Sequence, residues 1–163
     1  MDLLWLFLSA LISISIHEIA HGSSAVMRGF KVVSVRLGVG PAIVKWRVQG
    51  IDFVVGYPWT LFIGHVEANF TKNTPVGPRL FIASAGLIAN AVIVVLSAIG
   101  YRYAHQWIGI FESFALVNVI IFVTNAIPFV IGKRGKTKIL TDGGEIAAIV
   151  KELRTARNSS NSR

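Results

Sequence analysis

The sequence has 163 residues, of which 53% are hydrophobic and 15% are charged, and its net charge is +8. Soluble domains carry charge on about a quarter of their residues, so this composition excludes an ordinary soluble protein and indicates one membrane-embedded domain, placed at residues 1–156. The chain contains no cysteine, which excludes disulfides and thiolate metal sites.

Three long apolar segments predict three transmembrane helices. We place these helices at residues 3–27, 79–102 and 107–131. The second contains twenty consecutive uncharged residues, which matches the roughly 20 residues that cross a bilayer. The first reaches that length only if the charged turn "HEIAH", residues 17–21, lies at membrane depth. We do not expect a signal peptide there, because Asp2 replaces a basic start and no small-residue cleavage site follows.

Alternating apolar and polar residues at positions 30–70, punctuated by glycine and proline, predict three or four short strands. We expect these strands to form a membrane-associated β-hairpin region between the first two helices. After the third helix, "GKRGKTK" predicts a basic loop, residues 143–156 a short amphipathic helix, and residues 157–163 a flexible tail. The predicted fold class is therefore an α-helical integral membrane protein.

The distribution of basic residues predicts the orientation of the chain. All but one of the sixteen lysines and arginines lie at residues 28–79 or 133–163. These two blocks fall on the same side of a membrane that is crossed three times. Because cytoplasmic loops carry an excess of basic residues, we expect the C-terminus inside and the N-terminus outside. Topology thus explains the basic blocks, so the lipid bilayer is the expected partner and nucleic acid is not.

The pattern H-E-x-x-H at residues 17–21 predicts a metal site. Residues four apart on a helix share one face, so His17 and His21 can bind one ion, and Glu18 can act on a metal-bound water. The alternative is a pair of histidines that bond to other protein groups. Ionisable groups at membrane depth cost roughly 2.5–3.5 kcal/mol each on insertion scales and usually mark function, which favours the metal.

A catalytic zinc site needs a third protein ligand and leaves its fourth position to water. The soluble pattern HExxHxxGxxH is excluded, because Ser24 and Met27 occupy its last two positions. The candidate ligands are His65, Glu67, His105, Glu112, Asp142 and Glu145. Asp142 follows the third helix on the inner side, and Gly143 and Gly144 after it allow a close turn back into the bundle.

Four motifs in this order resemble the site-2 protease family of intramembrane zinc metalloproteases. The motifs are "HEIAH" (17–21), "SAGLIAN" (84–90), "NAIP" (125–128) and "TDGG" (141–144). The resemblance implies one Zn²⁺ ion held by His17, His21 and Asp142, with Glu18 as general base. It also implies that Asn125 and, less strongly, Asn90 contact the substrate backbone; the alternative for both is helix-to-helix hydrogen bonding.

Two departures from the family pattern concern the second helix and the third ligand. The glycine of "SAGLIAN" is not followed by the proline that is common in the family. The insertion "FVIGKRGKTKILT" between Pro128 and Asp142 raises the question whether Asp142 still reaches the metal. The chain also leaves no room for the PDZ or CBS domains of some members, so it resembles a minimal core.

The resemblance implies hydrolysis of peptide bonds in or near transmembrane segments of membrane-anchored proteins. Such cleavage serves regulated intramembrane proteolysis or removes signal-peptide remnants, and we expect it in a prokaryotic cell membrane. A substrate helix must unwind locally, and an exposed strand edge within residues 30–70 could bind the freed backbone by strand addition. The alternative is a non-catalytic protein that binds zinc or transmembrane segments in the membrane.

Overall fold

Three long helices form the body of the protein, and the computed structural model describes residues 2–38, 40–57, 63–71, 74–134 and 137–161. The helices are α1 (Leu3–Met27), α2 (Val76–Tyr103) and α3 (Ile108–Ala126), with a 3₁₀ turn at His105–Trp107 before α3. Each spanning segment is long and apolar enough to cross a membrane. The predicted class, an α-helical multi-pass membrane protein, is confirmed.

The helices bury their small and polar residues and expose their large apolar ones. The buried residues of α1 recur every three or four positions and are Ser9, Ala10, Ser13, Ile14, His17, Glu18, His21, Ser24 and Ala25. Leu3, Phe7, Ile19 and Met27 of the same helix are exposed. Small residues allow helix backbones to approach closely in a membrane, where lipid tails cover the apolar exterior. This pattern is the one expected of a lipid-facing bundle.

The predicted β region between α1 and α2 contains four strands. They are β1 (Val32–Leu37), β2 (Val44–Val48), β3 (Ile51–Val55) and β4 (Gly64–Ala68). Their order in the sheet is β2-β3-β1-β4, with β1 parallel to β3 and antiparallel to β4. The β2–β3 turn consists of Gln49 and Gly50, whose φ angles of 50° and 83° suit a tight two-residue hairpin. β4 is thereby an edge strand of the described sheet, and it packs against α1.

The third helix ends earlier than predicted, and the residues after it form a hairpin in place of a basic loop. α3 ends at Ala126 because Pro128 lacks an N–H group and disfavours helical geometry in the residue before it. Strands β5 (Val130–Arg134) and β6 (Thr137–Leu140) then pair antiparallel. Their pairing runs from Val130 with Leu140 to Arg134 with Thr137. The predicted helix over residues 127–131 was therefore wrong, and so was the predicted loop at residues 132–134 and 137–138; residues 135–136 lie outside the described part.

The C-terminal helix α4 (Asp142–Asn161) is present and longer than predicted. Residues 157–161, predicted to be a flexible tail, continue this helix, since no glycine or proline interrupts it there; residues 162–163 lie outside the described part. α4 packs against α2, and Arg79 pairs with Glu152 across that contact at 2.8 Å.

The side chain of Thr141 joins three elements where the hairpin meets α4. Its hydroxyl donates to the Ile127 carbonyl at 2.8 Å and accepts from the Phe129 N–H and the Gly144 N–H, both at 3.2 Å. The last bond makes Thr141 the N-cap of α4. The end of α3, the start of the hairpin and the first turn of α4 are thus fixed to each other immediately before Asp142.

Replacing this hydroxyl by a methyl group should destabilise the junction. We expect Thr141→Val to lower the free energy of unfolding by about 1–2 kcal/mol, because it removes a helix cap and leaves buried N–H groups without an acceptor. Thermal unfolding of purified protein measures the effect. Thr141→Ser should behave like the wild type, and so should Thr155→Val, whose exposed hydroxyl bonds to the Lys151 carbonyl of its own helix at 3.0 Å. Equal stability of Thr141→Val and wild type would contradict this role.

Candidate metal centre

The two histidines of the "HEIAH" turn lie at membrane depth on the buried face of α1. At about 1.5 Å of rise per residue, His17 is about 21 Å along a helix of about 37 Å, and the hydrocarbon core of a bilayer is about 30 Å thick. His17 and His21 are 2% and 8% exposed, and Glu18 beside them is 4% exposed. The sequence thus places three ionisable groups on the buried face of a helix that is long and apolar enough to cross a membrane.

Asp142, the first residue of α4, lies directly opposite these histidines. Its Oδ2 is 3.2 Å from His17 Nε2, and its Oδ1 is 3.2 Å from His21 Nε2. The two Nε2 atoms are also 3.2 Å apart, and ligand atoms of all three residues lie within 4.8 Å of one another. The insertion before Asp142 closes on itself, because Val130 pairs with Leu140 at the base of the hairpin. It therefore leaves Asp142 beside the histidines.

The other nitrogen of each ring is held by an oxygen. His21 Nδ1 donates to the main-chain carbonyl of Ile82 at 2.7 Å, and His17 Nδ1 lies 2.5 Å from Asn90 Oδ1. A carbonyl oxygen only accepts, so each Nδ1 carries the hydrogen. The neutral rings then present the lone pairs of both Nε2 atoms to Asp142, and such ring orientation is typical of metal-binding histidines.

The carboxylate of Asp142 completes a set of groups that fits a divalent cation. Burial raises the pKa of Asp142, but protonated His17 and His21 facing it would lower that pKa to about 2; a cation between the neutral rings would favour the ionised carboxylate in the same way. Within the described residues, Oδ2 of Asp142 has no hydrogen-bond donor. Three electron-pair donors therefore converge, and only protons or a cation can hold them together. Two imidazoles and one carboxylate are a known ligand set of catalytic zinc.

Two glycines let the surrounding backbone approach these side chains. A Cβ atom on Gly86 of α2 would overlap ring atoms of both His17 and His21. A Cβ atom on Gly64, at the start of β4, would overlap the carboxylate of Glu18. Helix α2 and strand β4 thus pack their main chains directly against the site, and neither position leaves room for a larger residue.

The structure separates the two asparagines that were predicted to contact substrate. Asn125 lines the cavity at the site together with Glu18, and its Nδ2 donates to the Ile121 carbonyl at 3.0 Å. Asn90 is fully buried and does not line that cavity. Its amide is occupied by His17 on one side and by Asn118 on the other. This position does not fit the substrate contact predicted for Asn90.

The remaining ligand candidates lie outside the group of three. His65 and Glu145 line the cavity, Glu67 accepts a hydrogen bond from Ser34 at 3.2 Å, and His105 and Glu112 lie at the start of the α3 segment. Burial, and then the charge of Asp142, raise the pKa of Glu145.

Sequence reasoning missed the contacts of Asn118 and of the two site glycines, Gly64 and Gly86. Each lies within a few ångströms of the site or of a residue that touches it. For Asn118 a signal was available, because an amide inside an apolar span needs a partner. For Gly64 and Gly86 none was available, since close packing depends on how the helices and the sheet meet.

Comparison with known proteins agrees with this geometry. The sequence profile described as peptidase family M50 matches residues 5–106, which is more than half of the chain. The chain belongs to peptidase family M50. The match includes His17, Glu18, His21 and Asn90 and ends before Asp142, so only the distances above support Asp142 as a candidate ligand.

Named relatives of this M50 chain are membrane or zinc metalloproteases. A chloroplastic protein of Arabidopsis thaliana, named "probable membrane metalloprotease", is 26% identical over 91 residues, which are 48% of this chain and 21% of the relative. A Synechocystis sp. protein, named "putative zinc metalloprotease", is 29% identical over 99 residues, 53% of this chain and 27% of the relative. The chain thus spans about a quarter of the length of these curated relatives.

Adding one methyl group at Gly86 should damage metal binding. We expect Gly86→Ala to weaken zinc affinity at least about tenfold, a loss of the size that supporting residues of metal ligands typically cause, because the new Cβ displaces both imidazole rings. Zinc affinity is measured by competition with a chromophoric chelator. Gly22→Ala is the matched control, since it is also inside a spanning helix and its Cβ would meet nothing within 4 Å. Unchanged affinity in Gly86→Ala would show that α2 does not press on the rings.

Proposed function

We propose that this M50 chain is the membrane-embedded catalytic part of a zinc metalloprotease, formed by residues 1–156. It hydrolyses peptide bonds in or near the transmembrane segments of membrane-anchored proteins. The observation that carries the proposal is the convergence of His17, His21 and Asp142 at membrane depth, with Glu18 beside them. The family and the names of the relatives support the same chemistry.

One zinc ion would be held by His17, His21 and Asp142. When bound, it would supply a Lewis acid that polarises the scissile carbonyl and lowers the pKa of water. Glu18 follows the first ligand directly and lines the same cavity. Its carboxylate takes a proton from the attacking water, and the same proton then passes to the nitrogen of the leaving amine. Peptide and water thus become one acid and one amine.

The substrate backbone would be bound by groups that also line the cavity. A peptide that leaves its helix exposes N–H and C=O groups, which need partners in a dry environment. Gly64, Val66 and Ala68 of the edge strand β4 line the cavity and can pair with an extended peptide by strand addition. Asn125 lies on the same cavity and can donate or accept a hydrogen bond.

Zinc content tests the ligand set. We expect one zinc per chain in detergent-purified wild type, and its loss in His17→Ala and Asp142→Ala, because each removes one of three ligands. Glu18→Gln should keep its zinc, since Glu18 is not a ligand. Elemental analysis measures all four proteins. Full zinc retention in Asp142→Ala would move the third ligand to His65 or Glu145, which share the cavity.

Hydrolysis tests the role of Glu18. We expect Glu18→Gln to lower the rate of cleavage of fluorescein-labelled casein by at least about 10²-fold, the usual contribution of a general base. The chelator 1,10-phenanthroline should abolish wild-type cleavage, and added zinc should restore it. Glu112→Gln is the matched control, because Glu112 is an exposed glutamate in a spanning helix away from the cavity. A wild type that holds one zinc but cleaves neither casein nor a single-span peptide would favour the non-catalytic alternative.

A further inference from the structure

A hydrogen-bond network of buried polar side chains runs from His17 to α3. Asn118 Nδ2 donates to Ser13 Oγ at 2.7 Å, and Asn90 Nδ2 donates to Asn118 Oδ1 at 2.7 Å. Asn90 Oδ1 then accepts from His17 Nδ1 at 2.5 Å. Ser13, Asn90 and Asn118 are 0% exposed. All three spanning helices therefore contribute to one hydrogen-bond network, which ends at the imidazole of His17 in the candidate metal site.

A main-chain carbonyl at the far end of this network fixes which atoms donate and which accept along it. Asn118 Nδ2 also lies 2.8 Å from the carbonyl oxygen of Phe114. That oxygen can only accept, so the Asn118 amide must turn its NH₂ group toward Phe114 and its oxygen toward Asn90. The Asn90 amide must then direct its NH₂ group to Asn118 and its oxygen to His17. Each step leaves a single orientation.

Without this anchor, the amide of Asn90 could turn over. The oxygen and nitrogen of an amide are nearly equal in size, so its orientation is set by its hydrogen bonds. A reversed Asn90 would point its NH₂ group at His17, Nδ1 would have to accept, and Nε2 would carry the hydrogen. A protonated Nε2 cannot bind a metal. His21 has no such problem, because its Nδ1 donates directly to the carbonyl of Ile82.

We propose that Asn118 is a positioning residue, which sets the tautomer of His17 by fixing the orientation of Asn90. Asn118 bonds to Asn90, which in turn bonds to His17, and Asn118 is not among the described residues that line the cavity. The proposal rests on the metal site of the proposed function. The competing explanation is that Asn90 and Asn118 only bind the helices to each other, as polar residues in membrane bundles often do.

The first variant removes the anchor. We expect Asn118→Leu to weaken zinc affinity about 10- to 100-fold, the range typical of residues that orient a metal ligand. The visible spectrum of the Co²⁺-substituted protein should change with it, because one imidazole no longer binds in every molecule. Ser113→Ala is the matched control: Ser113 is a fully buried polar residue of α3, but its hydroxyl bonds to Gly109 within its own helix. Its affinity and spectrum should equal those of wild type.

The second variant distinguishes an effect on the tautomer of His17 from an effect on helix packing. Asn118→Leu combined with Asn90→Asp places two accepting oxygens beside His17, so no reversed orientation exists whatever stands at position 118. We expect zinc affinity and the Co²⁺ spectrum to return to within a few-fold of wild type. If Asn118 only packs the helices, the second substitution adds a charge without repair and affinity stays low or falls further.

The outcomes distinguish this proposal from the proposed function. A wild type without zinc overturns the metal site itself. A wild type that binds zinc, with equal affinity in Asn118→Leu, overturns the positioning role alone, and so does a double variant that binds no better than Asn118→Leu. Circular dichroism and gel filtration check folding. If Asn118→Leu does not fold, Asn118→Ala, which removes the same atoms without added volume, is compared with and without Asn90→Asp.

Discussion

The need to satisfy every polar group at membrane depth organises this bundle. His17, Glu18 and His21 would each be costly in hydrocarbon without partners. Helix α2 supplies the oxygens that hold both Nδ1 atoms, one from its main chain at Ile82 and one from the side chain of Asn90. The rotation of α2 about its axis and its distance from α1 are therefore set by hydrogen bonds, with Gly86 allowing the contact.

That constraint determines which elements carry the histidines and which elements close the cavity. The spanning helices carry the two histidines and everything that orients them, because helices hold side chains rigidly and satisfy their own backbone. Asp142, β4 and the hairpin come from segments outside the spans, and they close one side of the cavity. Irregular backbone at a membrane is tolerated only where it is covered by protein or lines a wet cavity. Asp142 and strand β4 are both partly exposed, so water can reach the cavity from this side.

Local sequence predicted what depends on local geometry. Spacing alone placed His17 and His21 on one helix face, and the apolar run together with the HEIAH turn predicted the observed bounds of α1. The partner of Asn118 could not be predicted, because it depends on how three helices cross, and periodicity holds no information on crossing. The place of Asn90 differed from the prediction for the same reason. Asp142 was a candidate ligand, but its distance to the rings depends on the β5–β6 hairpin. The basic residues of that segment led to the prediction of a loop instead.

Charge balance gives a reason why the site has this number of carboxylates. With zinc bound as proposed, two positive charges face the negative charges of Asp142 and Glu18, while both imidazoles are neutral. A buried cluster is least costly when its net charge is near zero, since an unpaired charge in a low-dielectric site loses its hydration. Burial, and then the charge of Asp142, raise the pKa of the neighbouring Glu145. The same rule therefore opposes a further ionised carboxylate beside this cluster.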